Sequence, residues 1–340
     1  MRYNNLHGYF LYLNGGFYME ENKKLVTILV PAYNEQDVLN MLYDRLKNIM
    51  DNLTNYDFEV LLVNDGSKDD TLKIMKNLRA VDSRICYLNL SRNYGKETAM
   101  IAGLDYAKGD CVIIIDADLQ DPPELIPDML KFWEEGYDDV YAKRKSRKGE
   151  SVLKKFTSKM YYKVLQSVTN IEIQKDTGDF RLLDRRCVEA LKSIRESQRY
   201  TKGLFSWIGY NKKEILFDRD PRAAGNTKWN YGKLINLSID GLTSFTTAPL
   251  RLSAFIGILV SLAGFIYMLA IIFKTIFNGI DVPGYSSTMV VILFLGGIQL
   301  IFLGVIGEYL GRTFNESKGR PIYFVDRYND EKETNEKLNK

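Results

Sequence analysis

The stretch CVIIIDADLQDPPE, residues 111–124, decides the fold. Val112 to Ile115 form an unbroken apolar run, as in a strand buried on both faces of a parallel sheet. The run leads directly into Asp116, Asp118 and Asp121, and Pro122 and Pro123 end the element. Carboxylates at the mouth of a buried strand need a partner, because an unpaired desolvated charge is costly.

Upstream, the same strand-then-loop unit recurs with helical spacing between copies. LVTILVPAYNE, FEVLLVNDGS and ICYLNLSRN are strands ending in polar loops. QDVLNMLYDRLKNIMDNL, KDDTLKIMKNLRAV and KETAMIAGLDYAKG are helices, the first with Val38, Leu39, Leu42, Leu46 and Met50 on one face. Strand and helix alternating at these lengths predict right-handed βαβ units: an α/β, Rossmann-like domain with a mostly parallel sheet. Ligands of such sheets bind beyond the carboxyl ends of the strands. Asn34 and Glu35, Asp65, and Asp116 with Asp118 all fall at such ends, so they are expected to share one crevice.

Composition narrows the chemistry. The chain has 340 residues, 46% of them hydrophobic, with a net charge of +3, which gives no reason to expect a nucleic-acid partner. The single histidine, His7, lies near the N-terminus, so His-based triads and His-ligated zinc are not expected. Cys86, Cys111 and Cys187 have no CxxC spacing and read as buried thiols. The chemistry therefore falls to carboxylates and basic residues. Asp116 and Asp118 are two apart and in extended backbone would point the same way. A divalent, oxygen-seeking cation such as Mg²⁺ would relieve their repulsion, and Gln120 can add a carbonyl oxygen. Asp65 can accept hydrogen bonds from a nucleobase or ribose. The phosphate-binding glycine loops of P-loop and dinucleotide proteins are absent from the sequence. A nucleotide whose diphosphate is held by metal fits this combination.

The C-terminal third changes character. Leu252–Phe273 and Ser287–Gly307 carry no charge over 22 and 21 residues. Each reaches the roughly 20 residues that span a bilayer core of about 30 Å. Arg251, Lys228 and Lys233 precede the pair and Arg312, Lys318 and Arg320 follow it. The positive-inside rule places both ends, and with them the catalytic domain and both termini, in the cytoplasm of a multi-pass cell-membrane protein. Residues 151–170 read as a basic helix lying at the membrane interface, and 231–250 as a juxtamembrane amphipathic helix. The expected organisation is an N-terminal extension over 1–24, poorly ordered, with Met19 a candidate start. A catalytic domain over 25–230, a membrane hairpin over 251–310 and a cytoplasmic tail over 311–340 complete it.

VPAYNE, VNDGSKDDT, SRNYGKETAM, DADLQDPPE, DTGDFRLLDR and RAAGNTKWNYGKL together resemble the inverting family 2 glycosyltransferases. More narrowly, they resemble the polyprenyl-phosphate glycosyltransferases related to dolichyl-phosphate mannose synthase and the bactoprenol glucosyltransferases. The resemblance runs from residue 25 to about residue 320. It implies a GT-A fold and transfer of one hexose or N-acetylhexosamine from a UDP-sugar to undecaprenyl phosphate. It places Pro31, Tyr33, Glu35 and Asp65 on the nucleotide. It places Asp116 beside the metal and donor, and Asp118 with Gln120 on Mg²⁺ or Mn²⁺. Asp179 matches the family's catalytic carboxylate, as base or as positioner. Arg181 matches the motif arginine, and with Arg144, Arg222, Thr227 and Lys228 is expected at the acceptor phosphate. Membrane lipids, a separate flippase, a glycosyltransferase on the outer side and further copies of this chain are the implied partners. The product would feed cell-envelope glycosylation. Two other readings are a polysaccharide synthase, whose QxxRW-type motif is missing here, and a non-catalytic membrane subunit, against which the intact acids argue.

Overall fold

A computed structural model describes residues 10–13, 16–19, 23–145, 177–197, 199–218, 246–278 and 284–332, with single positions 160, 166, 174 and 243. The expected interfacial helix over 151–170 and most of the juxtamembrane helix over 231–250 lie outside the described residues.

Strands β3 (Lys24–Ala32), β4 (Tyr56–Asn64), β5 (Ile85–Leu90) and β6 (Cys111–Ile114) are parallel and lie in the order β5-β4-β3-β6. Each is apolar and almost wholly buried, because both faces of the sheet are covered. Val26, Ile28 and Val30 face one core with helix α1 (Leu39–Asn52), whose Leu39, Leu42, Leu46, Ile49 and Met50 are buried. Leu29 faces the other core, with Ala99, Met100 and Leu104 of α3 (Lys96–Tyr106). Helix α2 (Thr71–Val81) connects β4 to β5.

Beyond β6 the sheet becomes mixed. After α4 (Ile126–Glu134), β7 (Asp139–Arg144) pairs with β8 (Thr177–Asp184), and β8 runs antiparallel to β6. After α5 (Arg185–Ser193) and α6 (Thr201–Trp207), β9 (Lys212–Phe217) closes that edge, parallel to β7. The register sets Ile114 of β6 opposite Arg181 of β8. The start of β8 therefore lies beside the carboxyl end of β6.

Two long helices follow, α7 (Ala248–Asn278) and α8 (Tyr285–Ser317). Both are long and apolar enough to cross a membrane, and their apolar side chains are largely exposed. Helix α8 outlasts the uncharged run by ten residues, helped by the Glu308–Arg312 ion pair one turn apart (2.8 Å). The expected tail then turns back. Strand β10 (Val325–Tyr328) adds antiparallel to β5, and β11 (Glu331–Lys332) pairs with β10. Tyr323 is buried just before it and donates to Asp105 Oδ2 (2.6 Å). Within the extension over 1–24, β1 (Phe10–Leu13) and β2 (Gly16–Met19) form an antiparallel hairpin of their own.

Candidate active site

The loops after β3 and β4 are laced together. Asn34 N donates to Ser67 Oγ (3.0 Å), Lys68 N donates to Asn34 Oδ1 (2.9 Å), and Glu35 N donates to Thr71 Oγ1 (2.9 Å). The lacing needs Asn34 in the left-handed region at φ 54°, where asparagine is one of the few side chains at ease. Pro31 is buried in the ladder opposite Val63, while Tyr33 and Glu35 are half-buried at the loop's surface.

Asp65, only 3% exposed, is turned inward. Its Oδ1 accepts from Tyr94 N (2.7 Å) and its Oδ2 from Gly95 N (2.9 Å). Burial pushes its carboxyl up, against these two N–H donors and the Arg92 charge. Asp65 thus shapes the turn after β5, a role that its position at a strand end does not reveal. Gly66 at φ 63° passes so close to that turn that an added Cβ would lie 2.4 Å from the Arg92 carbonyl carbon.

The turn delivers Lys96, the first residue of α3. Its Nζ lies 2.6 Å from Asp116 Oδ1 and 2.5 Å from Asp179 Oδ2. Burial alone would lower the lysine's pKa, but these two carboxylates raise it well above the ordinary value. Asp179 is 7% exposed, and burial alone would raise its carboxyl pKa. Lys96, Lys202 and Arg181 outweigh burial and hold it well below the usual carboxylate range. The neighbouring Glu97 is pushed up to about 7, first by burial and then by the Asp179 charge. It accepts from Thr201 N (3.1 Å), which docks α6 against α3, and Lys202 Nζ reaches the Thr177 carbonyl oxygen (3.3 Å).

Asp116 and Asp118 do not share a pleat. Strand β6 ends at Ile114, a turn follows at Ala117–Asp118, and Leu119 takes φ 57°. Asp116 is engaged by Lys96, and Asp118 Oδ1 accepts from Gln120 N (3.2 Å). Among the described residues, no three acidic, histidine or cysteine side chains converge into a closed metal cage. The oxygens of Asp118 and Gln120 do fit a hard cation that draws most of its shell from water and a diphosphate.

Of the expected acceptor-phosphate residues, Arg144 lies by the site. Its Nη2 is 4.0 Å from where a Cβ on Gly178 would stand, with Asp121 Oδ2 at 3.6 Å. Its neighbours Lys143 and Lys145 pair with Glu214 and Asp218. Arg222, Thr227 and Lys228 lie outside the described residues. Arg181 corrects the expectation. It is 0% exposed, paired with the equally buried Asp139 (2.9 Å) and stacked 3.7 Å from the Phe205 ring centroid. A guanidinium so enclosed braces β8 against β7 and has no surface for an incoming phosphate.

Sequence reading overlooked Lys96, Glu97 and Lys202. The signal for Lys96 was available: it opens the helix after the third parallel strand, at the same sheet edge as the acids.

Residues 27–192 match the profile of glycosyl transferase family 2, and 248–313 match the GtrB C-terminal hairpin. A prophage bactoprenol glucosyl transferase homologue of Escherichia coli is 43% identical over 302 residues, 89% of this chain and 98% of its own. The chain belongs to glycosyl transferase family 2. The bactoprenol glucosyl transferase of Shigella phage SfV is 42% identical to this glycosyltransferase over 300 residues, 88% of this chain and 97% of that protein. An uncharacterised glycosyltransferase of Synechocystis is 53% identical over 300 residues, 88% of this chain and 94% of its own. The sheet of this glycosyltransferase is of the GT-A kind, and its two apolar helices coincide with the family's hairpin.

Proposed function

We propose that this glycosyltransferase moves one hexose or N-acetylhexosamine from a UDP-sugar to undecaprenyl phosphate, with inversion, at the cytoplasmic face of the cell membrane. The observation that carries the reading is the union of a family 2 catalytic domain with a membrane hairpin, in a chain aligned along nearly the whole length of bactoprenol glucosyl transferases. The return of the chain to the sheet as β10 supports an arrangement with both ends of the hairpin on the catalytic side.

In this reading the laced loops after β3 and β4 hold the nucleotide through Tyr33 and Glu35, with the buried Pro31 and Asp65 fixing the backbone around them. Asp118 and Gln120, with Asp116 beside them, would hold Mg²⁺ or Mn²⁺, whose charge neutralises the departing diphosphate. A lipid phosphate has a second pKa near ~6 and is already largely ionised at neutral pH. It needs little help in losing a proton. Asp179, held anionic by Lys96, is a poor base and a good fixed negative charge. Its task is to orient the sugar and to offset positive charge developing at the anomeric carbon, as carboxylates do in glycosidases. Arg144 meets the acceptor phosphate, with Arg222, Thr227 and Lys228 completing its seat. A flippase, an outer-side transferase and self-association belong to the same proposal.

The test is to incubate membranes carrying the full chain with undecaprenyl phosphate and a panel of UDP-sugars, and to identify lipid products by mass spectrometry. One sugar-phosphate lipid should form, be lost on chelation and return with Mg²⁺ or Mn²⁺. Absence of product from every donor would overturn the transfer reading. Full activity of Asp118→Ala would overturn the metal assignment.

A further inference from the structure

The carboxylates of Asp116 and Asp179 meet where the sheet stops holding them. The last ladder pair between β6 and β8 is Ile114 with Arg181. Asp116 lies two residues beyond it on one strand and Asp179 two residues before it on the other. Past the ladder, two carboxylates side by side repel. Lys96 stands between them, bonded to Asp116 Oδ2 (2.8 Å) and to Asp179 Oδ2 (2.5 Å). It comes from neither strand. It comes from the turn after β5, on the far side of β4 and β3 in the sheet order.

That turn is held in place from below. Gly95 adopts φ 96°, a conformation that a side chain would resist, and its N–H and that of Tyr94 are fixed by the two Asp65 oxygens. Asn93 Nδ2 adds a bond to the Asp65 carbonyl oxygen (3.1 Å). The links run without a gap from the end of β4, through the turn after β5, to Lys96 and on to the ends of β6 and β8.

We infer that Lys96 is a positioning residue for sugar transfer, acting through Asp116 and Asp179, and that Asp65 sets the turn from which it reaches them. Side-chain exposure of 43% at Lys96 against 10% at Asp179 fits this division. The lysine borders the crevice, while the carboxylate it aims is buried. The inference rests on the transfer reading only for the identity of the reaction.

The experiment compares Lys96→Met, Lys96→Arg, Asp179→Asn and the Lys96→Met/Asp179→Asn double variant in the full chain. It measures transfer to undecaprenyl phosphate and, separately, UDP release without lipid. Loss of aim at the reacting centre costs on the order of 100-fold. Lys96→Met, with its rate normalised to folded protein counted by the melting transition, should lower kcat by about that factor while the donor KM moves less than roughly threefold. Lys96→Arg should recover most of kcat. The double variant should be slowed by clearly less than the product of the two single losses. Wild-type kcat in Lys96→Met, or losses that multiply in the double variant, would overturn the inference. If the wild-type protein releases UDP but does not glycosylate this lipid, the acceptor assignment fails, and the Lys96 comparison is still decided on UDP release.

Discussion

Replacing Arg181 by methionine separates two roles that one residue cannot hold at once. In the structure Arg181 neutralises Asp139, and both side chains are 0% exposed. Removing one partner of a buried ion pair costs about 3–5 kcal/mol, because the other charge is left behind without compensation. Methionine keeps much of the volume over Phe205 but loses the cationic stacking. For a domain of this size each kcal/mol lowers Tm by about 2–4 °C, so a fall of roughly 6–20 °C is expected. The loss should depend on pH. Burial already pushes the Asp139 carboxyl above its ordinary value, with Arg181 and Lys212 pulling it back. Without Arg181 the folded pKa rises further above the unfolded one. The contribution to stability is then full below the unfolded pKa and is lost as pH rises through the folded one, at up to ~1.4 kcal/mol per pH unit. Adding Asp139→Asn should restore part of the loss, since both charges are then gone. The assay is tryptophan-fluorescence melting of the full chain in detergent from pH 5 to pH 8, alongside the acceptor KM. An unchanged Tm together with a tenfold higher acceptor KM would refute the reasoning and return Arg181 to the phosphate.

Gly66→Ala would drive a Cβ to 2.4 Å from Arg92 C and 2.5 Å from Asn93 N, with the residue still at φ 63°. Strain and overpacking together cost about 2–5 kcal/mol, and transfer activity should fall with the displaced Lys96 turn; wild-type activity at wild-type Tm would contradict this. Glu97 titrates near 7 in the folded protein against an ordinary 4.5, so its contribution is full below 4.5 and is lost as pH rises through about 7. Glu97→Gln should therefore flatten the decline in Tm between pH 5 and pH 8, and an unaltered slope would remove Glu97 as its source. Tyr323→Phe deletes the hydroxyl bonded to Asp105 and should cost about 1–2 kcal/mol, seen as a drop of a few degrees in Tm. No shift would mean that this bond does not anchor the returning segment.

The four central strands were legible because burial on both faces leaves an apolar run that needs no partner to be read. The rest of the sheet hides its signal. Strand β8 reads TGDFRLLD, polar at both ends and carrying a charged residue in its buried middle. Strand β9 reads KKEILF at an edge, where burial is partial. Strand β10 is four residues long and finds its partner in β5 across two membrane-length helices. The strand-end acids announced the crevice, yet their geometry was not legible. The pleat rule for Asp116 and Asp118 assumed a strand that ends two residues too early. Arg181 looked available because a motif arginine in sequence carries no sign of the aspartate that encloses it, 42 residues away.

The position of β10 in the chain has a consequence for how the enzyme is made. Tyr87 of β5 pairs with Asn329 across 242 residues: its N–H donates to Asn329 Oδ1, and its carbonyl oxygen accepts from Asn329 N. Between the two lie both apolar helices. During synthesis the edge of β5 is therefore open while the hairpin is still emerging, and an open strand edge is a site for aberrant pairing. The catalytic domain receives its last interior strand only after the second helix has been translated.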